Sequence, residues 1–320
     1  MPRQARLDAP GTIHHVIIRG IEKGDIVEDD GDRDNFVARM GKISKETDTV
    51  IYAWALLTNH AHILLRSSSV GLSKYMRRFL TGYAVSYNLK HRRHGHLFQN
   101  RYKSIVCEEE PYLMELVRYI HLNPLRATIV ADMAALRKYR WSGHGVLMGE
   151  YANDWQVTAE ILGRFGKSKK SARENYEKFV SDGIVQGKRN DLVGGGLIRS
   201  LGGWSAVKTL KQEGENSQRD DRILGSSEFV EQLLKEAEHG LKSQFKADRP
   251  YFDIDEYISK KSREENVNLE ELRGGSRRRA VSSLRKIIAN KLVVIYGVPM
   301  AEVARKLGIT TSGVSRLLTT

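Results

Sequence analysis

Two histidines at alternate positions, His60-Ala61-His62, have the clearest capacity for chemistry in this 320-residue chain. The run around them reads as a β-strand, and strand side chains two apart point to one face, so both imidazoles are able to hold one metal ion. Taken alone, such a pair reads equally as structural or partly exposed histidine. Tyr119 and Asn123 stand four apart in an expected helix from Pro111 to about Leu122. That spacing makes them neighbours on one helical face, where the Asn123 amide oxygen would supply a third ligand beside a tyrosine hydroxyl. Pro124 disfavours helical geometry at the residue before it, which puts Asn123 at a helix end. Glu115, one turn before Tyr119, reads either as a group reaching the metal or the tyrosine proton, or as an exposed helix glutamate. His121 lies on another helical face, as a bystander or a DNA contact. His94-Gly95-His96 is a second spaced pair on an expected loop, where phosphate contact or solvent exposure is favoured over metal binding.

The charge pattern says what such a site would act on. Lys and Arg exceed Asp and Glu by 13, an excess that favours polyanions, with nucleic acid ahead of a membrane surface. From Thr49 through Cys107 there is no acidic residue, yet Arg66, Lys74, Arg77, Arg78, Lys90, Arg92, Arg93, Arg101 and Lys103 all fall there. Without interspersed carboxylates that charge is available to phosphates, and a plain solvated basic surface is the bland alternative. Arg77, Arg78, Arg92, Arg93, Arg101 and Lys103 are the candidate DNA contacts of this region. Breaking a phosphodiester requires charge stabilisation on the non-bridging oxygens and a positioned nucleophile, which a Lewis-acidic ion and an in-line hydroxyl provide together. Mixed nitrogen and oxygen ligands suit Mn²⁺ somewhat better, and abundance favours Mg²⁺. A lone cysteine, Cys107, excludes an intramolecular disulfide and a multi-cysteine zinc site. No apolar run approaches the ~20 residues needed to span a bilayer, and the start MPRQARLDAP has no signal core, so a soluble cytoplasmic protein is expected.

Strand and helix patterns alternate through residues 1–148: a strand from His14 to Arg19, a helix from about Arg33 to Lys45, strands Val50 to Leu57 and His60 to Arg66 around a Thr58-Asn59 turn, a helix from Gly71 to His91, a strand around Phe98 to Val106, and the helix carrying Tyr119. The order β-α-β-β-α-β plus a helix predicts an α+β fold with a ferredoxin-like antiparallel sheet, followed by an all-α C-terminal region. Residues 149–275 read as a helical connecting region, broken by the loop from Lys188 to Gly196 and the polar stretch from Gly214 to Asp221. The glycine triplet at 194–196 lacks the lysine and the strand-to-helix context of a phosphate loop. Residues 276–320 form a third module in which Met300 to Thr319 fits a helix-turn-helix: Ala304 at the close packing point, Gly308 at the turn, Val303, Leu307, Ile309, Val314 and Leu317 as core. Thr311, Ser312, Ser315 and Arg316 would then face duplex DNA. A generic helical hairpin is the alternative.

Four segments in order, GTIHHVIIRG, TNHAHILL, GHLFQNRYKS and RYIHLNPLRA, resemble the single-tyrosine HUH transposases, and among them the REP-associated tyrosine transposases. The resemblance covers about the first 145 residues. It implies His60 and His62 as metal ligands, Tyr119 as the nucleophile and Asn123 as an assisting ligand. It also implies cleavage of single-stranded, often hairpin-forming DNA with a 5′-phosphotyrosine and a free 3′-hydroxyl; a monomer or homodimer is expected. Leu57-Thr58-Asn59 departs from the Met-Pro-Asn of many relatives, which alters the turn more than the chemistry. The C-terminal module more loosely resembles the duplex-reading domain of the replication initiator DnaA. A DNA-binding regulator derived from a transposase and a replication-initiation nickase are the rival readings.

Overall fold

The computed structural model describes residues 7, 10–187, 189–193, 222–244 and 253–319. The glycine triplet and the polar stretch from Gly214 lie outside the described residues. The chain divides into two compact units, one of Met1–Leu72 with Phe98–Ala247, the other of Ser73–Leu97 with Asp248–Thr320.

The first unit is built on a sheet of β1 (Ile13–Arg19), β2 (Val50–Leu56), β3 (His60–Arg66), β4 (Lys103–Cys107) and β5 (Ile223–Leu224) in the order β2-β3-β1-β4-β5. Its first four strands pair antiparallel in the expected ferredoxin-like order, and β5 adds in parallel to β4. With α1 (Asp30–Glu46), α2 (Leu72–Lys90) and α3 (Glu109–His121) between and after the strands, the fold is α+β. The strand expected from Phe98 begins only at Lys103. Phe98 makes an isolated bridge to Gly20, and Asn100 at φ 62 breaks the extended run. The β5 strand, 116 residues after Cys107 by number (223 − 107), has no signal in a two-residue run.

Each layer follows from local sequence. Asp29 and Asp32 close a capping box at the start of α1, satisfying backbone donors that the helix itself leaves unpaired. Phe36, Met40 and Ile43 are the buried stripe of that helix. Leu113, Leu116, Val117 and Ile120 recur at threes and fours on α3 and are fully buried in a core shared with Ile13, Leu64, Ile105 and Cys107 of the sheet. Pairing in β1 and β3 places Ile13, His15, Ile17 and Arg19 on the same face as Arg66, Leu64, His62 and His60, because directly opposed residues share a face. The helix Lys169–Asp182 contributes Tyr176 and Val180 to the same core.

Among these apolar groups lies a buried polar knot. Tyr176 Oη is 2.6 Å from His121 Nδ1 and 3.1 Å from His144 Nδ1, and both rings are fully buried. His121 is therefore excluded from any DNA contact. Burial holds His144 down to about 4, with the Arg137 charge adding to the effect, and pushes His121 well below the ordinary histidine range. The unfolded chain, with histidines near ~6.5, binds more protons than the folded one between about pH 4 and 6.5. Stability from the neutral rings is thus fully present above about pH 6.5 and is lost as pH falls toward 4. His144→Gln is expected to reduce the slope of unfolding free energy against pH near pH 5 by about 1.4 kcal/mol per unit. Urea titrations at a series of pH values measure it, and an unchanged slope would count against the buried neutral ring.

The second unit holds α2 from Ser73 together with the helices Ile254–Glu264, Leu269–Arg273, Arg279–Ala289, Met300–Leu307 and Thr311–Thr319. Val281, Leu284, Ile288, Val303, Ala304, Leu307 and Val314 form its core, with Ile309 and Leu317 packed against it. Gly308 caps Met300–Leu307 at φ 65, and a Cβ there would lie 1.9 Å from the Arg273 carbonyl oxygen. Only glycine meets both demands. Among the described residues, no helix is long and apolar enough to cross a membrane.

Candidate functional site

His60 and His62 sit on β3 with their ring centroids 5.3 Å apart, His60 partly exposed and His62 buried. The Tyr119 ring, half-buried on α3, stands edge-on to His62 at 5.8 Å between centroids and an interplanar angle of 83°. A sheet face and the helix covering it thus bring the histidine pair and the tyrosine together. The turn before His60 is held by Gly20, whose N–H donates to the Asn59 carbonyl at 2.9 Å. A Cβ on Gly20 would lie 1.9 Å from the Gly24 oxygen, which accounts for the glycine in the Arg19-Gly20 step.

Hydrogen bonding fixes which ring nitrogens keep a lone pair. Asn59 Nδ2 donates to the Lys23 carbonyl at 3.0 Å, so Asn59 Oδ1 is the atom facing His60 Nδ1 at 2.7 Å, and that nitrogen must carry the proton. The lone pair of His60 is then on Nε2. The second chain starts from Leu192, whose carbonyl accepts from His15 Nδ1 at 3.0 Å. His15 is wholly buried, and burial holds it down to about 4, with a smaller contribution from Lys103, so it is neutral and its Nε2 is an acceptor. That Nε2 lies 2.9 Å from His62 Nδ1, which must donate, and the lone pair of His62 is on Nε2 as well. Burial lowers His60 to about 4, with Arg19 adding to it, and takes His62 well below the ordinary range, with His15, His60 and Arg19 adding. Two neutral imidazoles with Nε2 lone pairs are a donor set suited to a divalent cation.

Asn123 follows the end of α3 and opens α4 (Asn123–Arg126); its amide nitrogen donates to the Tyr119 carbonyl at 2.9 Å. Its amide oxygen is therefore the atom with ligating capacity. The Glu115 carboxylate pairs with Arg118 at 2.6 Å and with Arg189 at 3.1 Å. His94, Gly95 and His96 are exposed.

The basic candidates divide. Arg77, Arg92 and Arg101 are exposed. Arg78 donates to the Tyr296 carbonyl at 3.1 Å, and Arg93 lies over the Tyr87 ring at 5.9 Å. Lys103 is exposed but reaches the Val193 carbonyl at 2.6 Å. Arg66, in the acid-free stretch, is paired with Glu109 at 2.7 Å and Glu160 at 3.6 Å, so carboxylates distant in sequence neutralise part of that charge. Thr311, Ser312, Ser315 and Arg316 are exposed on the last helix.

Residues that sequence reasoning passed over are His15, the Leu192 carbonyl and Arg126. His15 had a signal: in a strand it shares the alternation of Ile17 and Arg19, and a histidine in an apolar run needs a partner. A backbone carbonyl carries no residue-type signal.

Two histidines with fixed lone pairs, opposed by a helix-borne tyrosine, are the arrangement expected of a metal-and-tyrosine site. In agreement with that class, residues 10–123 match the family model described as Transposase IS200 like, a span that includes His15, His60, His62, Tyr119 and Asn123. Among solved structures the chain is similar to one described as a REP-associated tyrosine transposase bound to a REP hairpin, at 16% identity and a TM-score of 0.39, over 49% of this chain and 92% of that one. No curated protein matches the chain.

Proposed function

We propose that this chain is a transposase that cleaves and rejoins single-stranded, hairpin-associated DNA through a 5′-phosphotyrosine at Tyr119, with Mg²⁺ or Mn²⁺ held by His60, His62 and Asn123. The observation that carries it is the pair of Nε2 lone pairs, fixed by Asn59 and His15, beside the Tyr119 ring. The residues fit the ion because both imidazoles are neutral without help from any acid, and a bound divalent ion would withdraw charge from the phosphate oxygens. Tyr119 Oη attacks the phosphorus as its proton leaves to solvent, the bond from phosphorus to the 3′ oxygen breaks, and that oxygen takes up a proton. One phosphodiester replaces another, so attack by the 3′-hydroxyl on the phosphotyrosine rejoins the strand without ATP. The last helix, through Thr311, Ser312, Ser315 and Arg316, would hold an adjoining duplex, and the exposed Arg77, Arg92 and Arg101 would contact phosphates.

The test is incubation with 3′-end-labelled single-stranded DNA from the flanks of the gene, with Mn²⁺ or Mg²⁺, followed by denaturing gel electrophoresis. Label moving with the protein, and lost with chelator, is expected. Tight hairpin binding with no adduct on any flank fragment would replace this reading by that of a DNA-binding regulator.

His15→Phe retains the ring and removes the acceptor that orients His62. It is expected to weaken Mn²⁺ binding by about 10- to 100-fold, the range for losing a ligand's outer hydrogen bond. Calorimetric titration of the metal alone measures it, and affinity within about threefold of wild type would mean that His15 does not set the tautomer.

A further inference from the structure

Arg126 ends α4, one helical step beyond Asn123, and its guanidinium lies over the Tyr119 ring at 5.4 Å. One Nη donates to the Gly183 carbonyl at 3.1 Å. The Nε and the other Nη are buried and find no acceptor among the described residues. No carboxylate of the described residues pairs with it. Among the described residues, the nearby charges of Arg118 and Arg189 add to that of Arg126, and both of these arginines pair with the carboxylate of Glu115.

A guanidinium is charged at any physiological pH, and burying two of its donors without acceptors is costly enough that folded proteins rarely leave them so. An anion small enough to reach beside Tyr119 would satisfy donors that the described residues leave without acceptors. A phosphodiester meets that description, since its non-bridging oxygens carry the charge that a guanidinium N–H binds most strongly.

We infer that Arg126 is a catalytic residue that holds a non-bridging oxygen of the scissile phosphate while Tyr119 attacks it. This rests on the reading of Tyr119 as nucleophile. As Oη bonds to phosphorus and the 3′ oxygen departs with the electron pair, charge builds on the non-bridging oxygens, and the Arg126 guanidinium tightens on it. The same contact persists in the phosphotyrosine, whose phosphate retains one negative charge, and serves the reverse step.

The cleavage position is first mapped on the wild-type adduct with the flank DNA. The same strand is then made with a methylphosphonate at that linkage, replacing a charged oxygen by a methyl group. Arg126→Gln is expected to slow adduct formation by about 10²- to 10³-fold on the natural strand, and to react within about threefold of wild type on the methylphosphonate. Equal losses on both strands, or no loss on the natural one, would overturn the inference. Because two donors lack acceptors among the described residues, Arg126→Gln is also expected to melt no lower than wild type; a drop above about 5 °C would mark the arginine as structural. Absence of any adduct from the wild type would instead remove the Tyr119 reading, and this inference with it.

Discussion

Tyr119→Phe is expected to abolish the covalent protein–DNA adduct, lowering strand cleavage by at least about 10⁴-fold, while hairpin DNA binds within about threefold of wild type. The substitution removes one oxygen and retains the ring, and the ring supplies the packing against His62 and Arg126. Loss of activity with an unchanged fold and unchanged binding is the signature of a nucleophile, because only the bond-forming step needs the hydroxyl. The ordinary phenol, near ~10, is mostly protonated at neutral pH, so the cations around it matter to its reactivity. A Tyr119→Phe protein that still carries label on a denaturing gel would assign the covalent link to another residue.

His62→Ala is expected to have the second largest effect, a loss of about 10³-fold or more in cleavage with Mn²⁺ binding reduced to the level of a nonspecific site. One imidazole and one amide cannot compete with water for a divalent ion at micromolar concentrations. Removing this ring also leaves His15 Nε2 without its donor in a buried position, which costs about 1–3 kcal/mol of stability. The two effects are separable: His60→Ala removes the partly exposed ligand, leaves the His15 bond in place, and should lose the metal with little loss of stability. If both variants bind Mn²⁺ as wild type does, the pair is not the metal site.

The sheet and its order were legible because strand and helix periods alternate cleanly from Ile13 to His121, and the histidine pair and Tyr119 were legible because spacing places them on single faces. What was not legible depends on long-range closure. Glu115 reads in sequence as a group available to the tyrosine, and only the fold brings Arg189 to occupy it. Arg66 reads as free positive charge until Glu160, nearly a hundred positions away, arrives beside it. The two-residue strand Ile223–Leu224 and the bond from Leu192 to His15 leave no pattern in residue types, since one is too short to show alternation and the other uses only backbone.

That backbone bond bears on how such a site is inherited. The span that matches the transposase family model ends at Asn123 and includes each side chain proposed to ligate or attack, but the carbonyl that orients His62 through His15 belongs to Leu192. Recombination that copied the shared span alone into a new gene would transmit the reactive groups without their alignment. The main chain at Leu192 is itself anchored by packing, because the leucine side chain is buried in the core it shares with Leu64 and Ile105 of the sheet.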